Sequence, residues 1–180
     1  ILIYIGRSGV CGTFCLKNTE ENMNKKFRPA PTLVSLVSVL ITAGAATALS
    51  IMGRPIFDKL IKPSFQPPDI VFPIAWGIIY ALTFFACALY FSAAPASKKR
   101  TEVLIMLCLC AVFHVLWVLA VFVLALPAVG EIIIFVYFVL LLLAFTRIKP
   151  VSPAAAWLLF PQLIWLTAAA VLGYALALLN

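Results

Sequence analysis

Charge is scarce in this chain, and groups able to do ionic chemistry are scarcer still. Lys, Arg, Asp and Glu make up 11% of the 180 residues, against about 25% in a soluble domain. There is one histidine, His114. No acid pair, no Ser/His/Asp set and no glycine-rich nucleotide loop falls within the apolar stretches, so no catalytic residues are assigned. The five cysteines are equally unpromising. Cys11 and Cys15 lie near the start, while Cys87, Cys108 and Cys110 lie inside apolar runs, and none has zinc-ligand spacing with histidine partners. They read as small buried apolar residues, and no metal site is expected.

What is present is hydrocarbon. Apolar residues make up 65% of the chain, well above the 45–50% or so of a soluble domain. Five continuous apolar runs stand out: 32–52, 70–92, 103–126, 130–146 and 153–179. They are unbroken rather than alternating, which favours helices over barrel strands. Each can cross roughly 30 Å of hydrocarbon, the fourth with least to spare. The expected fold class is therefore an all-α integral membrane protein, a bundle of five transmembrane helices. Residues 23–180 form the single membrane domain. Residues 1–22 lack a signal-peptide layout and are expected to be disordered or a non-native extension.

The net charge of +7 would suggest nucleic acid in a soluble protein. Here it is better explained by topology. Lys25, Lys26, Arg28, Lys98, Lys99, Arg100, Arg147 and Lys149 fall on one side of the five spans, against Arg54, Lys59 and Lys62 on the other. The positive-inside rule then places the N terminus in the cytoplasm. Small residues recur at helical spacing, as Gly44 and Ala48 in the first span and Ala169, Gly173 and Ala177 in the fifth. Such stripes allow close helix contact within one bundle or across a dimer.

Polar and aromatic residues inside the spans are the candidates for function. His114 sits deep in the third span, where an ionisable group needs a partner; it reads either as a ligand contact or as a neutral imidazole bonded to a neighbouring helix. Trp117 follows one turn later, on the same face. Trp76 and Tyr80 share a face of the second span. Trp157 fits an interfacial belt, but Trp165 lies deeper. Flat indoles with one donor each suit a planar ligand with a polar edge.

The stretch KPSFQPPDIVFPIAW, residues 62–76, gathers Pro63, Pro67, Pro68 and Pro73 beside a span. Pro73 falls in a first helical turn, where its missing donor costs least. The others stiffen a loop, which loses little entropy on closing over a cavity. This segment, with Trp76 and Tyr80, resembles the loop signature of the TspO/MBR (translocator protein, tryptophan-rich sensory protein) family, K-P-x-W-x-P-P. The closing run is similar to the family's last helix through Pro161, Leu163, Trp165, Leu172, Tyr174 and Asn180. His114 and Trp117 occupy an N-x-x-W position. The chain departs from the family pattern at Phe65, His114, Gln162 and Gly173, where the family has Trp, Asn, Tyr and Asn. The usual acidic residue of the fourth helix is also absent, with Glu131 nearer the turn.

The resemblance implies a homodimeric bundle with a pocket beneath the first loop. The implied ligand is a porphyrin-like or sterol-like molecule such as protoporphyrin or haem, with no cofactor required. The implied ligand-binding residues are Phe65, Trp76, Tyr80, His114, Trp117, Gln162, Trp165 and Ala169, with Lys62, Pro63, Pro67 and Pro68 as the loop motif. His114 offers a propionate a hydrogen bond or haem iron a ligand. The expected role is a sensor, scavenger or transporter in the cytoplasmic membrane, with the mitochondrial outer membrane as the alternative. A light- or oxygen-dependent porphyrin-degrading enzyme is a second reading, and a structural membrane protein with a degenerate pocket a third.

Overall fold

The computed structural model describes residues 29–180. The expectation for residues 1–22, and the basic cluster Lys25, Lys26 and Arg28, lie outside the described residues. All five apolar runs are helices, and among the described residues there is no strand. They are α1 (Pro29–Phe57), α2 (Val71–Ala93), α3 (Lys98–Val118), α4 (Pro127–Ile148) and α5 (Pro153–Leu179). The fourth run is not tight after all. Pro127 opens its first turn and the helix continues to Ile148, so its 22 residues reach about 33 Å.

Each helix packs on two principal neighbours, in the cyclic order α1, α2, α5, α4, α3 and back to α1. Fully buried alanines, Ala86, Ala144, Ala155 and Ala156, line the inner seams and let the backbones approach. Larger residues such as Ile134, Leu141, Leu159 and Leu166 fill the spaces between them. Outside, Leu40, Ile51, Met52, Phe85, Ile132, Phe135, Ile164 and Val171 are exposed. In water such a surface would aggregate. Around five helices long and apolar enough to cross a bilayer, it faces lipid.

One end of the bundle is closed by tight connections. Ser97 caps α3 by accepting from the Arg100 amide, and Ser152 caps α5 by accepting from the Ala155 amide, with Pro153 at the first helical position. Arg100 is buried, donates to the Phe91 carbonyl at 2.8 Å and lies over the Phe91 ring.

The other end carries the proline segment. After α1, residues 58–70 cross to α2 with a turn at Ser64–Phe65, closed by the Gln66 amide on the Pro63 carbonyl. Arg54 pairs with Asp58 and Asp69, and Lys62 with Asp58 at 2.7 Å. Asn180 clasps the loop: its Oδ1 accepts from the Ile61 amide at 2.9 Å and its Nδ2 donates to the Ile61 carbonyl at 3.1 Å. Pro73 does fall in the first turn of α2.

The third span departs from simple continuity. After Val118 the backbone widens into a π turn, Leu119–Val123, with the Leu124 amide bonded to the Leu119 carbonyl. It ends at Ala125, which adopts φ 51°, and the Leu126 amide returns to the Ala120 carbonyl. Gly53 of α1 accommodates this bulge. A Cβ there would lie 2.4 Å from the Phe122 carbonyl oxygen, so only glycine permits the approach. Phe57 stacks on Phe122 at 4.4 Å beside this contact.

Candidate functional site

The ring of helices brings one aromatic residue after another to its axis. Helical spacing puts Trp76, Tyr80 and Thr83 on the inner face of α2, and Cys110, His114 and Trp117 on that of α3. Trp76 is the hub. Its ring lies 4.1 Å from His114, 5.8 Å from Tyr80, 6.2 Å from Trp117 and 6.5 Å from Trp165. His114 stacks with Trp117 at 6.2 Å. Phe72 meets the Trp165 ring edge to face at 6.0 Å.

His114 is 1% exposed, and its Nε2 lies 2.8 Å from the Tyr80 hydroxyl. Both readings of this histidine therefore meet in one residue: it is bonded to a neighbouring helix, and it stands in the aromatic cluster. Three buried polar atoms around the cluster find no partner among the described residues: His114 Nδ1, Trp117 Nε1 and Trp165 Nε1. Apolar faces with a few unpaired donors make a surface suited to a flat molecule with polar edges.

Just beyond, a second set of polar groups is fully engaged. The Thr83 hydroxyl donates to Gln162 Oε1 at 3.0 Å, and Gln162 Nε2 donates to the Tyr137 hydroxyl. These three, with Tyr80, border a chamber of about 40 Å³ also lined by Ser35, Ser38, Thr42, Cys87, Cys108 and Cys110. It has room for about three water molecules. Cys87 and Cys110 are buried and Cys108 half-buried, all as free thiols. Cys87 and Cys110 are small and buried as expected, and with Cys108 they wall a chamber whose lining mixes hydroxyl groups with aliphatic side chains such as Val39, Leu107 and Leu141.

The loop residues are placed differently from one another. Pro63 is buried and Pro67 half-buried, while Pro68 is exposed. Lys62 lies over the Phe57 ring at 5.2 Å. Its route to the site runs from Phe57 through Phe122 to Trp117. Phe65 stands apart, 57% exposed on the turn. Ala169 is buried one helical turn beyond Trp165.

Sequence reasoning missed several participants. Tyr137 is the one phenol in the middle of the fourth run, and its depth was the available signal. Ser35, Ser38 and Thr42 share a face of α1 by their spacing of three and four. Glu131 was seen only as a turn marker. In fact its Oε1 is buried against Gly173, where a Cβ would come within 2.0 Å.

A lipid-facing ring of five helices long and apolar enough to span a bilayer, with an aromatic cluster on its axis and a proline-rich loop at one end, defines a five-helix integral membrane protein. Comparison with known proteins gives the particular kind. The TspO/MBR family model matches residues 32–179. The Tryptophan-rich protein TspO of Chlorobaculum tepidum is 32% identical over 130 residues, covering 69% of this chain and 78% of that protein. The chain belongs to the TspO/MBR family.

Proposed function

We propose that this protein binds planar, largely apolar ligands of the tetrapyrrole class within the membrane, and serves as their sensor, scavenger or transporter. The observation that carries this reading is the cluster of Trp76, Tyr80, His114, Trp117 and Trp165, with three polar atoms that have no partner among the described residues. Indole faces supply area, and the unpaired groups supply bonds to pyrrole nitrogens or propionates. Because these rings already touch, a ligand of porphyrin size enters only when they part and the loop over residues 58–70 lifts. The contacts that hold that loop, the Asn180 clasp and the Arg54 pairs, are exposed and individually weak. They suit a lid.

The eight-to-three imbalance of basic residues supports a cytoplasmic N terminus, with the loop on the opposite face of a cytoplasmic membrane. Gly44 and Ala48 are exposed, and a Cβ on Gly44 would meet nothing within 4 Å. This supports a homodimer contact through α1 rather than tight packing inside one bundle.

The test is a titration of purified protein in detergent with protoporphyrin IX in the dark, read by tryptophan quenching and the porphyrin absorption band. Saturable binding, weakened in Trp76→Ala, is expected. Quenching that rises without saturation, or is unchanged in that variant, overturns the reading.

A further inference from the structure

Charge is divided unevenly between the two ends of the bundle. Among the described residues the serine-capped end carries five basic side chains, Lys98, Lys99, Arg100, Arg147 and Lys149, against one acid, Glu102. The loop end carries three, Arg54, Lys59 and Lys62, against three acids, Asp58, Asp69 and Glu131. Two of the five are already engaged: Arg100 is buried on the Phe91 carbonyl, and Arg147 pairs with Glu102 at 3.0 Å. Lys98, Lys99 and Lys149 are exposed and make no ion pair among the described residues.

Lys149 differs from the other two in being built into a patch. It follows the last turn of α4, and its ammonium lies over two rings at once, 5.7 Å from the centre of Trp157 and 6.0 Å from that of Phe145. Those two rings meet edge to face at 6.0 Å, and Trp157 meets Phe160 at 5.2 Å. Three aromatics from two helices thus form one surface across the α4–α5 seam. Trp157 is 54% exposed, and its indole N–H has no hydrogen-bond partner among the described residues. Leu142, three residues before Phe145, and Ile164, four after Phe160, are also exposed. Helical spacing therefore continues the apolar surface one turn deeper on each helix.

A cation held between rings is half of a headgroup site. The ring contacts fix the ammonium where the spans end, so little rotamer freedom remains to be lost when an anion arrives. The rings cover only one side of the ammonium, which leaves N–H groups for a phosphate oxygen, and the Trp157 N–H is a second donor on the same patch. The occupant must combine an anion with hydrocarbon, because the surface below the lysine is apolar and faces the acyl chains. An acidic peptide or free phosphate supplies only the anion. A zwitterionic headgroup would bring an ammonium to an end with five basic groups and one acid.

We propose that the outer α4–α5 seam at the serine-capped end binds an anionic glycerophospholipid, with its phosphodiester on Lys149 and the Trp157 N–H and its acyl chains along Phe160, Leu142 and Ile164. The seam faces outward, away from the aromatic cluster on the bundle axis, and the assignment stands whether or not that cluster binds a ligand. A lipid seated there bridges two helices across the turn at residues 149–152 and adds to what holds this end together.

The test is native mass spectrometry of the protein released from micelles containing equal amounts of phosphatidylglycerol and phosphatidylcholine with the same acyl chains. Phosphatidylglycerol adducts are expected to be several-fold the more abundant. That preference should fall to near parity in Lys149→Ala, persist in Lys149→Arg, and be unchanged in Lys98→Ala and in Lys59→Ala at the loop end. Equal retention of the two lipids by the unaltered protein overturns the proposal. So does a preference that survives Lys149→Ala, or one lost equally in Lys98→Ala, since either means diffuse charge and not a site. Displacement of phosphatidylglycerol by inorganic phosphate at matched concentration overturns it too, because the patch would then read the anion alone. Thermal melts of the unaltered protein need no variant: phosphatidylglycerol should raise Tm more than phosphatidylcholine does, and equal shifts count against the site.

Discussion

The two ends of the bundle are built on different principles. At one end, four-residue connections join helices through serine caps, and a buried arginine binds a backbone carbonyl. At the other, a proline-stiffened loop crosses the helix ends, held by exposed ion pairs and one asparagine clasp. The helices themselves also differ there. Pro55 lies in the last turns of α1, and the third span leaves α-geometry before it reaches the turn. The proposed binding role requires that helices part to admit a ligand, and such a bundle needs one end that stays shut. The contrast suggests which end that is.

The largest expected effect comes from driving apart a close backbone contact at the open end. Gly53→Ala puts a methyl group on the Phe122 carbonyl, main-chain atoms that cannot swing aside, and should destabilise by about 3 kcal/mol, the upper end of the cost of overpacking, read as a lowered Tm in detergent. Arg100→Ala tests the closed end. Loss of its buried bond to the Phe91 carbonyl should cost about 1.5–3 kcal/mol; a change no larger than that of a surface substitution would erase the contrast.

Asn180→Ala removes a neutral, exposed clasp and should cost only about 1 kcal/mol. Its signature is local: hydrogen exchange at the Ile61 amide should accelerate while Tm hardly moves. Ala125→Gly relieves a left-handed alanine and should raise stability by about 0.4–1 kcal/mol. The smallest effect is that of pH. Hydrogen bonds from Lys62 and then Arg54 hold the Asp58 carboxyl below the ordinary carboxylate range. A depressed folded pKa contributes stability above the ordinary value that is lost as pH falls through the depressed one. Protection of the loop amides, corrected for the intrinsic exchange rate at each pH, should therefore fall in acid, with protection at the serine-capped end unchanged.

Much of this was legible in the residues themselves. Hydropathy gave all five spans, the fifth to the residue, because lipid-facing and core-facing positions are alike apolar and no amphipathic pattern had to be decoded. Trp76, Tyr80, His114, Trp117 and Trp165 were recognisable because polar or bulky residues are conspicuous in such a background. Depth and neighbours were not legible. Phe65 and Trp76 lie in the same motif, yet one is exposed on a turn and the other is the hub of the site. The π turn escaped notice because it depends on how Gly53 of another helix meets Phe122, a contact between distant segments.

Glu131 and Gly173 carry a consequence for how this chain varies. A side chain grown from Gly173 meets only the tip of Glu131, a flexible group, whereas one grown from Gly53 meets backbone. Positions 131 and 173 therefore share one slot between α4 and α5, and the slot holds one polar side chain at a time. An asparagine placed at 173 would evict the carboxylate, and a shortened residue at 131 would make room for the asparagine.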